Sequence, residues 1–268
     1  MSPVLYIIGR NTLITTEGKR HNLYFREVKI LMRGGGRMFK LSGKSAGAIC
    51  VLAVLGFLQG LVLKNYLFPA KPDIPPQNVI SLALKNTAQA LSYRYTIQMS
   101  TLIDGKEQAA SDIKGERQNQ NSIHFKGQMF ESEVDFYQID STAYSKDQLT
   151  GEWMKNKDNQ INQQEIFMFE LNPLASFTYK ELIEANCRGL EKLNGKRVWV
   201  YTASPVINNP YMEILWKDFG YKFWLQPRSL LISKALVTAT SKNNPADKLT
   251  LLVEFKDFNS NIEIRPPF

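Results

Sequence analysis

The clearest pattern along the chain is alternation with a period of two. From Ser92 to Thr101, Tyr93, Tyr95, Ile97 and Met99 alternate with Arg94, Thr96, Gln98 and Ser100. Successive side chains of a strand point to opposite faces, so this stretch predicts a half-buried strand. Asp104-Gly105 follows and suits a tight hairpin, because a type I′ turn needs positive φ at both central positions. Further strands are predicted at 107–118, 121–129 and 130–140. In the last of these Phe130, Ser132, Val134 and Phe136 share one face, and Glu131, Glu133 and Asp135 the other. A short strand at 142–146 leads through Thr150-Gly151 to Trp153 and a second hairpin. Strands at 184–193 and 196–203 flank Asn194-Gly195. The chain closes on alternation, with Leu249, Leu251, Val253 and Phe255 on one face.

Other stretches follow a helical or a continuous apolar pattern. Ile80, Leu84, Ala88 and Leu91 fall on one face of 77–91, which prolines precede, and this predicts an amphipathic helix. Residues 162–170 also read as helix, ending at Asn172-Pro173. From Ala46 to Leu63 run 18 residues with no charge and one Gln. At about 1.5 Å per residue they reach roughly 27 Å, close to the hydrocarbon thickness of a bilayer. The run exceeds the 7–15 residues usual for a cleaved signal, and no small-x-small site follows it. A retained signal anchor is therefore expected over 46–68. Arg33, Arg37, Lys40 and Lys44 precede it, which places the N-terminus in the cytoplasm and the rest of the chain outside. Pro69, Pro72, Pro75 and Pro76 then form a stiff linker over 69–76. The expected organisation is a cytoplasmic tail 1–45, the anchor 46–68, the linker 69–76 and an extracytoplasmic domain 77–268. Within the tail, Arg33-Gly34-Gly35-Gly36-Arg37 before Met38 is what a translated ribosome-binding site would spell, so synthesis is expected to start at Met38. The fold class that fits is α+β, a long antiparallel meander curved and covered by helices on one side.

Charge changes the picture only once it is divided by region. The formal net charge is +8, but residues 1–45 hold nine Lys/Arg against two Asp/Glu, whereas residues 69–268 hold 23 of each sign. A neutral domain lacks the basic footprint of a nucleic-acid binder, and no nucleic-acid partner is expected. The two cysteines are Cys50, inside the apolar run, and Cys187, alone in a strand-like stretch, so no intrachain disulfide and no lipidated cysteine at the end of the run are expected.

Several stretches in order carry a resemblance. They are the Tyr-rich first strand, the Asp-Gly hairpin, Ala143-Tyr144 ahead of Thr150-Gly151-Glu152-Trp153, and Arg188 to Gly195 (RGLEKLNG). Phe223-Trp224-Leu225-Gln226-Pro227 and the closing Phe255-Lys256-Asp257-Phe258-Asn259 with Ile262, Ile264 and Pro266-Pro267 complete the series. Over about residues 77–267 the chain resembles the LolA/LppX-like superfamily of extracytoplasmic lipoprotein carriers and lipid-binding lipoproteins of the bacterial cell envelope. The resemblance implies a strongly curved antiparallel sheet, an open half-barrel, with helices closing its mouth over an apolar cavity for acyl chains. It implies that the concave face, with Tyr93, Tyr95, Ile97, Met99, Phe125, Phe136, Trp199 and Tyr201, both builds the sheet and lines a ligand pocket. Segment 209–219 would be a lid or loop over that cavity, since Asn-Pro is a helix entry. An anchored member cannot shuttle freely; it would present or sense a ligand at its own membrane.

Candidate chemistry is sparse. His21 and His124 are the only histidines and stand far apart, which rules out a metal site of His ligands and leaves no Ser-His-Asp arrangement. Glu131, Glu133 and Asp135 could gather a hard cation, yet a strand spaces same-face carboxylates by about 7 Å, and a solvated outer face explains them. His124 is expected to face solvent. The reading is thus a non-catalytic, cofactor-free, membrane-anchored protein binding a lipid or other hydrophobic ligand. The competing reading is an RseB-like sensor or protein-interaction module with an envelope protein partner.

Overall fold

Residues 55–56, 58–59, 69–157 and 172–268 are described by the structure, a computed structural model of the chain. The chain divides into Met1–Pro69 and Ala70–Phe268, and the elements that follow belong to the second unit. The tail 1–45, most of the apolar segment 46–68 and the helix expected at 162–170 lie outside the described residues. Among the described residues no helix is long and apolar enough to cross a membrane.

Two antiparallel meanders make one sheet. The first contains β1 (Tyr93–Ile103), β2 (Lys106–Arg117), β3 (Ser122–Met129), β4 (Ser132–Ile139), β5 (Thr142–Lys146) and β6 (Trp153–Lys157). The second contains β7 (Tyr179–Leu193), β8 (Lys196–Ile207), β9 (Trp216–Leu225), β10 (Ile232–Ser241) and β11 (Lys248–Lys256). The order β6-β5-β4-β3-β2-β1-β11-β10-β9-β8-β7 shows that the last strand joins the first at the middle of the sheet. Register there sets Tyr95 opposite Phe255, Ile97 opposite Val253 and Met99 opposite Leu251, so both apolar alternations face the same side. The hairpin turns follow the expected chemistry at Asp104-Gly105, with φ 51° and 74°, and at Asn194-Gly195, with φ 49° and 78°. The β3–β4 turn has the same left-handed pair without glycine: Phe130 and Glu131 sit at φ 45° and 68°. Phe130 is therefore an exposed turn residue and not part of the strand face expected for it.

Curvature follows from what shares the core. Flat, eleven strands at about 4.8 Å spacing would stretch roughly 48 Å. Instead Phe125 of β3, Tyr93 of β1, Tyr201 of β8 and Leu182 of β7 belong to one buried cluster. Register shifts at Met99/Ser100 in β1 and at three places along β7 and β8 supply bulges, which bend strands and raise their twist. β6 and β7 end the sheet without pairing to each other, so it stays open.

One helix, α1 (Pro76–Ala88), covers the concave side with Val79, Ile80, Ala83 and Thr87 buried. Ile80 and the partly buried Leu84 lie on the expected face. Ala88 and Leu91 do not: the helix ends at Ala88, the chain turns into β1, and both residues are exposed. The Ser81 hydroxyl meets the Tyr179 hydroxyl at 2.6 Å at the start of β7. Asn86 donates to the Ser229 carbonyl, and the Ile232 amide donates to the Thr87 hydroxyl, both at the β9–β10 turn. The axis of α1 thus runs from the sheet end that carries the β1–β2 turn towards the opposite end.

The convex side has a small cluster of its own. Val198, Val200 and Trp224 are buried there with Leu193 and Leu236 packed against them. Lys222 and Lys234 lie 4.5 and 5.6 Å from the Trp224 ring centroid, and the indole N–H donates to Glu191 at 2.9 Å. That hydrogen bond, ahead of the nearby Lys222 ammonium, holds the Glu191 carboxyl below its ordinary range. On the other half of the convex face His124 departs from expectation. It stacks on Tyr137 at 3.8 Å and meets Asp135 at 2.9 Å, with its side chain only 15% exposed. Asp135 is therefore engaged with a ring and not freely solvated.

Candidate functional site: an apolar cleft at one end of the sheet

The site grows from a row of opposed inward side chains. Met99 of β1 faces Leu251 of β11, and Leu251 faces Val237 of β10. Ile207 closes the row at the end of β8, and Phe219 near the start of β9. A second wall comes from the 3-10 turn Ala175–Phe177, which brings Ala175, Ser176 and Thr178 to the same place. A short helix, α2 (Pro210–Leu215), brings Met212, and the residues before it bring Asn209. Together they line a small apolar cleft, with enclosed room of ≈ 30 Å³, that opens to solvent. Ligand sites are mostly apolar with a few placed polar groups. Ser176, Thr178 and Asn209 are the polar members here.

Two anchors set the walls. The buried Tyr221 hydroxyl donates to the carbonyls of Ser176 and Thr178 at 3.2 and 3.1 Å, which fixes the 3-10 turn against β9. Burial, with a smaller contribution from Tyr179, pushes the Tyr221 phenol well above its ordinary value. The Asn209 side chain accepts from the Met212 amide at 3.1 Å, starting α2 where the sequence places Asn-Pro. The expected lid segment 209–219 is divided: only Pro210–Leu215 is helical, and Trp216 already opens β9.

Of the eight residues expected to line a pocket, the structure places Met99 on the cleft. Tyr93, Tyr95, Ile97, Phe125, Trp199 and Tyr201 lie buried in the concave core, and Phe136 is partly buried against Phe125 with ring centroids 5.2 Å apart. Tyr93 packs edge-on to Tyr95 and Phe255. These large rings pack together in the concave core, and the cleft lies at one end, beyond Ile97. Val237 and Ile207 are cleft residues that pattern reading missed, whereas Met212 and Phe219 belong to the segment 209–219 expected over the cavity. Leu251 was legible as an inward position, but pairing had to be known before it could be set beside Met99.

Two buried polar atoms on β8 lack a hydrogen-bond partner, the Trp199 indole N–H and the Tyr201 hydroxyl. Burial pushes the Tyr201 phenol far up, and the thiol of Cys187, directly opposite on β7, adds to the rise. Among the described residues no three His, Cys, Asp or Glu side chains gather as a metal site.

Fold and cleft together define an open, curved, antiparallel half-barrel with an apolar opening at one end. Solved structures similar to it include the Mycobacterium tuberculosis lipoprotein LppX, at 13% identity over 72% of this chain and 100% of that chain, with a TM-score of 0.46. LprF from Mycobacterium bovis is similar at 10% identity, 74% and 99% coverage and a TM-score of 0.48. A LolA superfamily protein from Nitrosomonas europaea is similar at 7% identity, 72% and 96% coverage and a TM-score of 0.31. No protein-family model and no curated protein sequence matches the chain.

Proposed function

We propose that this protein is held in the cell membrane by residues 46–68, with its N-terminus cytoplasmic, and that its outer domain binds a lipid chain or another hydrophobic molecule without chemistry. The observation that carries the reading is the cleft of Met99, Ile207, Met212, Phe219, Val237 and Leu251. Its apolar walls offer no nucleophile beside a base, and burial alone supplies the driving force. Each methylene taken out of water contributes about 0.8 kcal/mol, before the costs of ordering the ligand. Ser176, Thr178 and Asn209 at the cleft suit the polar end of an amphiphile. Tyr93, Tyr95 and Phe125 are buried under the concave face and the cleft's enclosed room is ≈ 30 Å³, so the cleft as it stands takes only the end of an acyl chain. The partners implied are a hydrophobic small molecule and the bilayer. Native mass spectrometry of the full chain, purified from membranes in mild detergent, tests the proposal: one apolar molecule per chain is the expected result, and a chain that neither retains nor takes up any acyl compound refutes it.

A further inference from the structure

Exposed large apolar side chains gather at one end of the sheet, although Leu91, 74% exposed before β1 at the other end, and Phe268, 67% exposed at the end of the chain, stand apart from them. Leu149, at the tip of the β5–β6 turn, is 97% exposed, Ile214 on α2 is 66% exposed, and Phe130 on the β3–β4 turn 59%. Leu215 on α2 and Leu102 and Ile103 beside the β1–β2 turn are exposed as well. Strand direction puts all of these at one end of the sheet. β1, β3 and β5 run towards it and β2, β4 and β6 away from it, while β8 ends and β9 starts there on either side of α2. Cross-links confirm the shared level: the Gln148 side chain donates to the Glu133 carbonyl, the Asp104 amide to Asp247, and the Lys242 amide to the Leu215 carbonyl. The cleft lies at this end too, since Ile207 ends β8, Met212 is on α2, and Met99 and Phe219 are within four residues of Leu102 and Leu215.

The tips are built to stay outward. Phe130 and Glu131 both hold left-handed backbone, which costs a bulky side chain of order 1–3 kcal/mol, and the result is a phenyl ring presented to the outside. The β5–β6 tip is held by the Asp147 carboxylate, which accepts from the Leu149 amide and from both the amide and hydroxyl of Thr150. The tether arrives at this end too. α1 starts on the Tyr179 side, so residues 70–75 enter the domain near the cleft wall.

We infer that this end of the domain rests on the bilayer, its apolar tips inserted among the headgroups and the cleft opening onto lipid. The inference rests on the proposed function for the anchor. One or two apolar side chains on each of several separate tips, parted by polar residues, suit a deformable lipid interface, whereas a protein partner would call for a continuous patch. Residues 103–107, 130–131, 146–152, 213–218 and 242–248 carry eight carboxylates and five lysines, so anionic lipid is not what draws them. A neutral phosphatidylcholine surface suffices.

The test uses the full chain with Cys50→Ser and Cys187→Ser, reconstituted in phosphatidylcholine vesicles that contain a brominated-chain lipid. An environment-sensitive fluorophore is attached at Leu149→Cys or Ile214→Cys, with Asn194→Cys at the opposite end as the control, and uptake of a fluorescent fatty acid is measured on the same samples. Labels at 149 and 214 are expected to shift to the blue and lose more than half of their emission to the quencher, while the label at 194 is unaffected. Tips as exposed as position 194 overturn the inference, even where the fatty acid is still taken up and the cleft reading stands. Tips quenched in a chain that takes up no fatty acid support it and count against the cleft reading alone.

Discussion

Replacing Thr87 by Val isolates a single hydrogen-bonded link between helix and sheet. The Thr87 side chain is fully buried; its hydroxyl donates to the Ala83 carbonyl at 2.8 Å and accepts from the Ile232 amide at 3.0 Å. Valine keeps the shape and removes the oxygen. The Ala83 carbonyl retains its helical partner, so the loss falls on the Ile232 amide, a buried donor left without an acceptor. Such an orphan costs about 1–3 kcal/mol, and the added methyl returns less than ~1 kcal/mol by burial. With a return of about 0.5 kcal/mol and a urea m-value of about 2 kcal/mol/M, the expected fall in the unfolding midpoint is about 0.25–1.25 M at unchanged m. Tryptophan fluorescence reads the transition, because Trp153, Trp199, Trp216 and Trp224 all lie in the domain. Faster amide exchange at Ile232 is expected alongside. A variant as stable as the parent, or one that unfolds with a smaller m, would refute the view that this hydroxyl pins α1 over the core.

Other substitutions probe the sheet. Gly127→Ala would place a Cβ 2.1 Å from the Asp112 carbonyl oxygen on a residue at φ 151°, so the β2–β3 pairing must break locally; loss of the cooperative transition, or a drop of several degrees in Tm, is the expected outcome in a thermal scan. Trp224→Ala removes the lid of the convex cluster and the surface on which Lys222 and Lys234 lie, and should cost about 3–5 kcal/mol in urea unfolding; under 1 kcal/mol would contradict the packing described. Tyr201→Phe deletes a buried hydroxyl that makes no close hydrogen bond and faces the weakly accepting Cys187 thiol, so stability should hold within ~1 kcal/mol, and a loss of more than about 2 kcal/mol would show that the hydroxyl is strongly paired. Alkaline pH acts in the opposite sense. The phenols of Tyr221 and Tyr201 are raised above the unfolded value near 10, so their contribution is intact below pH 10 and is lost as pH climbs above it. Absorbance at alkaline pH should show late-titrating tyrosines whose ionisation coincides with unfolding, and their early titration in folded protein would disprove the burial argument.

How far the pattern of residues revealed the fold differs by element. β1 and β11 were legible because Tyr93 to Met99 and Leu249 to Phe255 alternate without interruption, and the turns at Asp104-Gly105 and Asn194-Gly195 carry residues suited to positive φ. β9 and β10 went unread for a physical reason. In β9 the apolar Phe223 and Leu225 face the core while Trp224 between them is buried on the other face, which erases the period of two. In β10 a register shift between Ile232 and Lys234 changes phase, so that Ile232 and Ala235, three apart, both point inward. The β3–β4 turn hid in the same way, since nothing in Phe130-Glu131 announces left-handed backbone. For the site, the resemblance led to the concave face as a whole. Size decided the rest: tyrosines and phenylalanines pack together in the core where they cluster, and space survives where Met99, Val237 and Leu251 are the inward residues. Pairing across three strands, which a one-dimensional pattern does not contain, is what locates that gap.

The measurement that bears most directly on the central claim compares a fluorescent fatty acid binding to the full chain and to its Met99→Trp variant. Met99 is partly buried at the cleft, so an indole there occupies the space without disturbing the buried rings beneath. Saturable binding to the parent, reduced at least tenfold in a variant with an unchanged urea midpoint, is the predicted result. Equal binding by both chains, or none by the parent, would contradict the account.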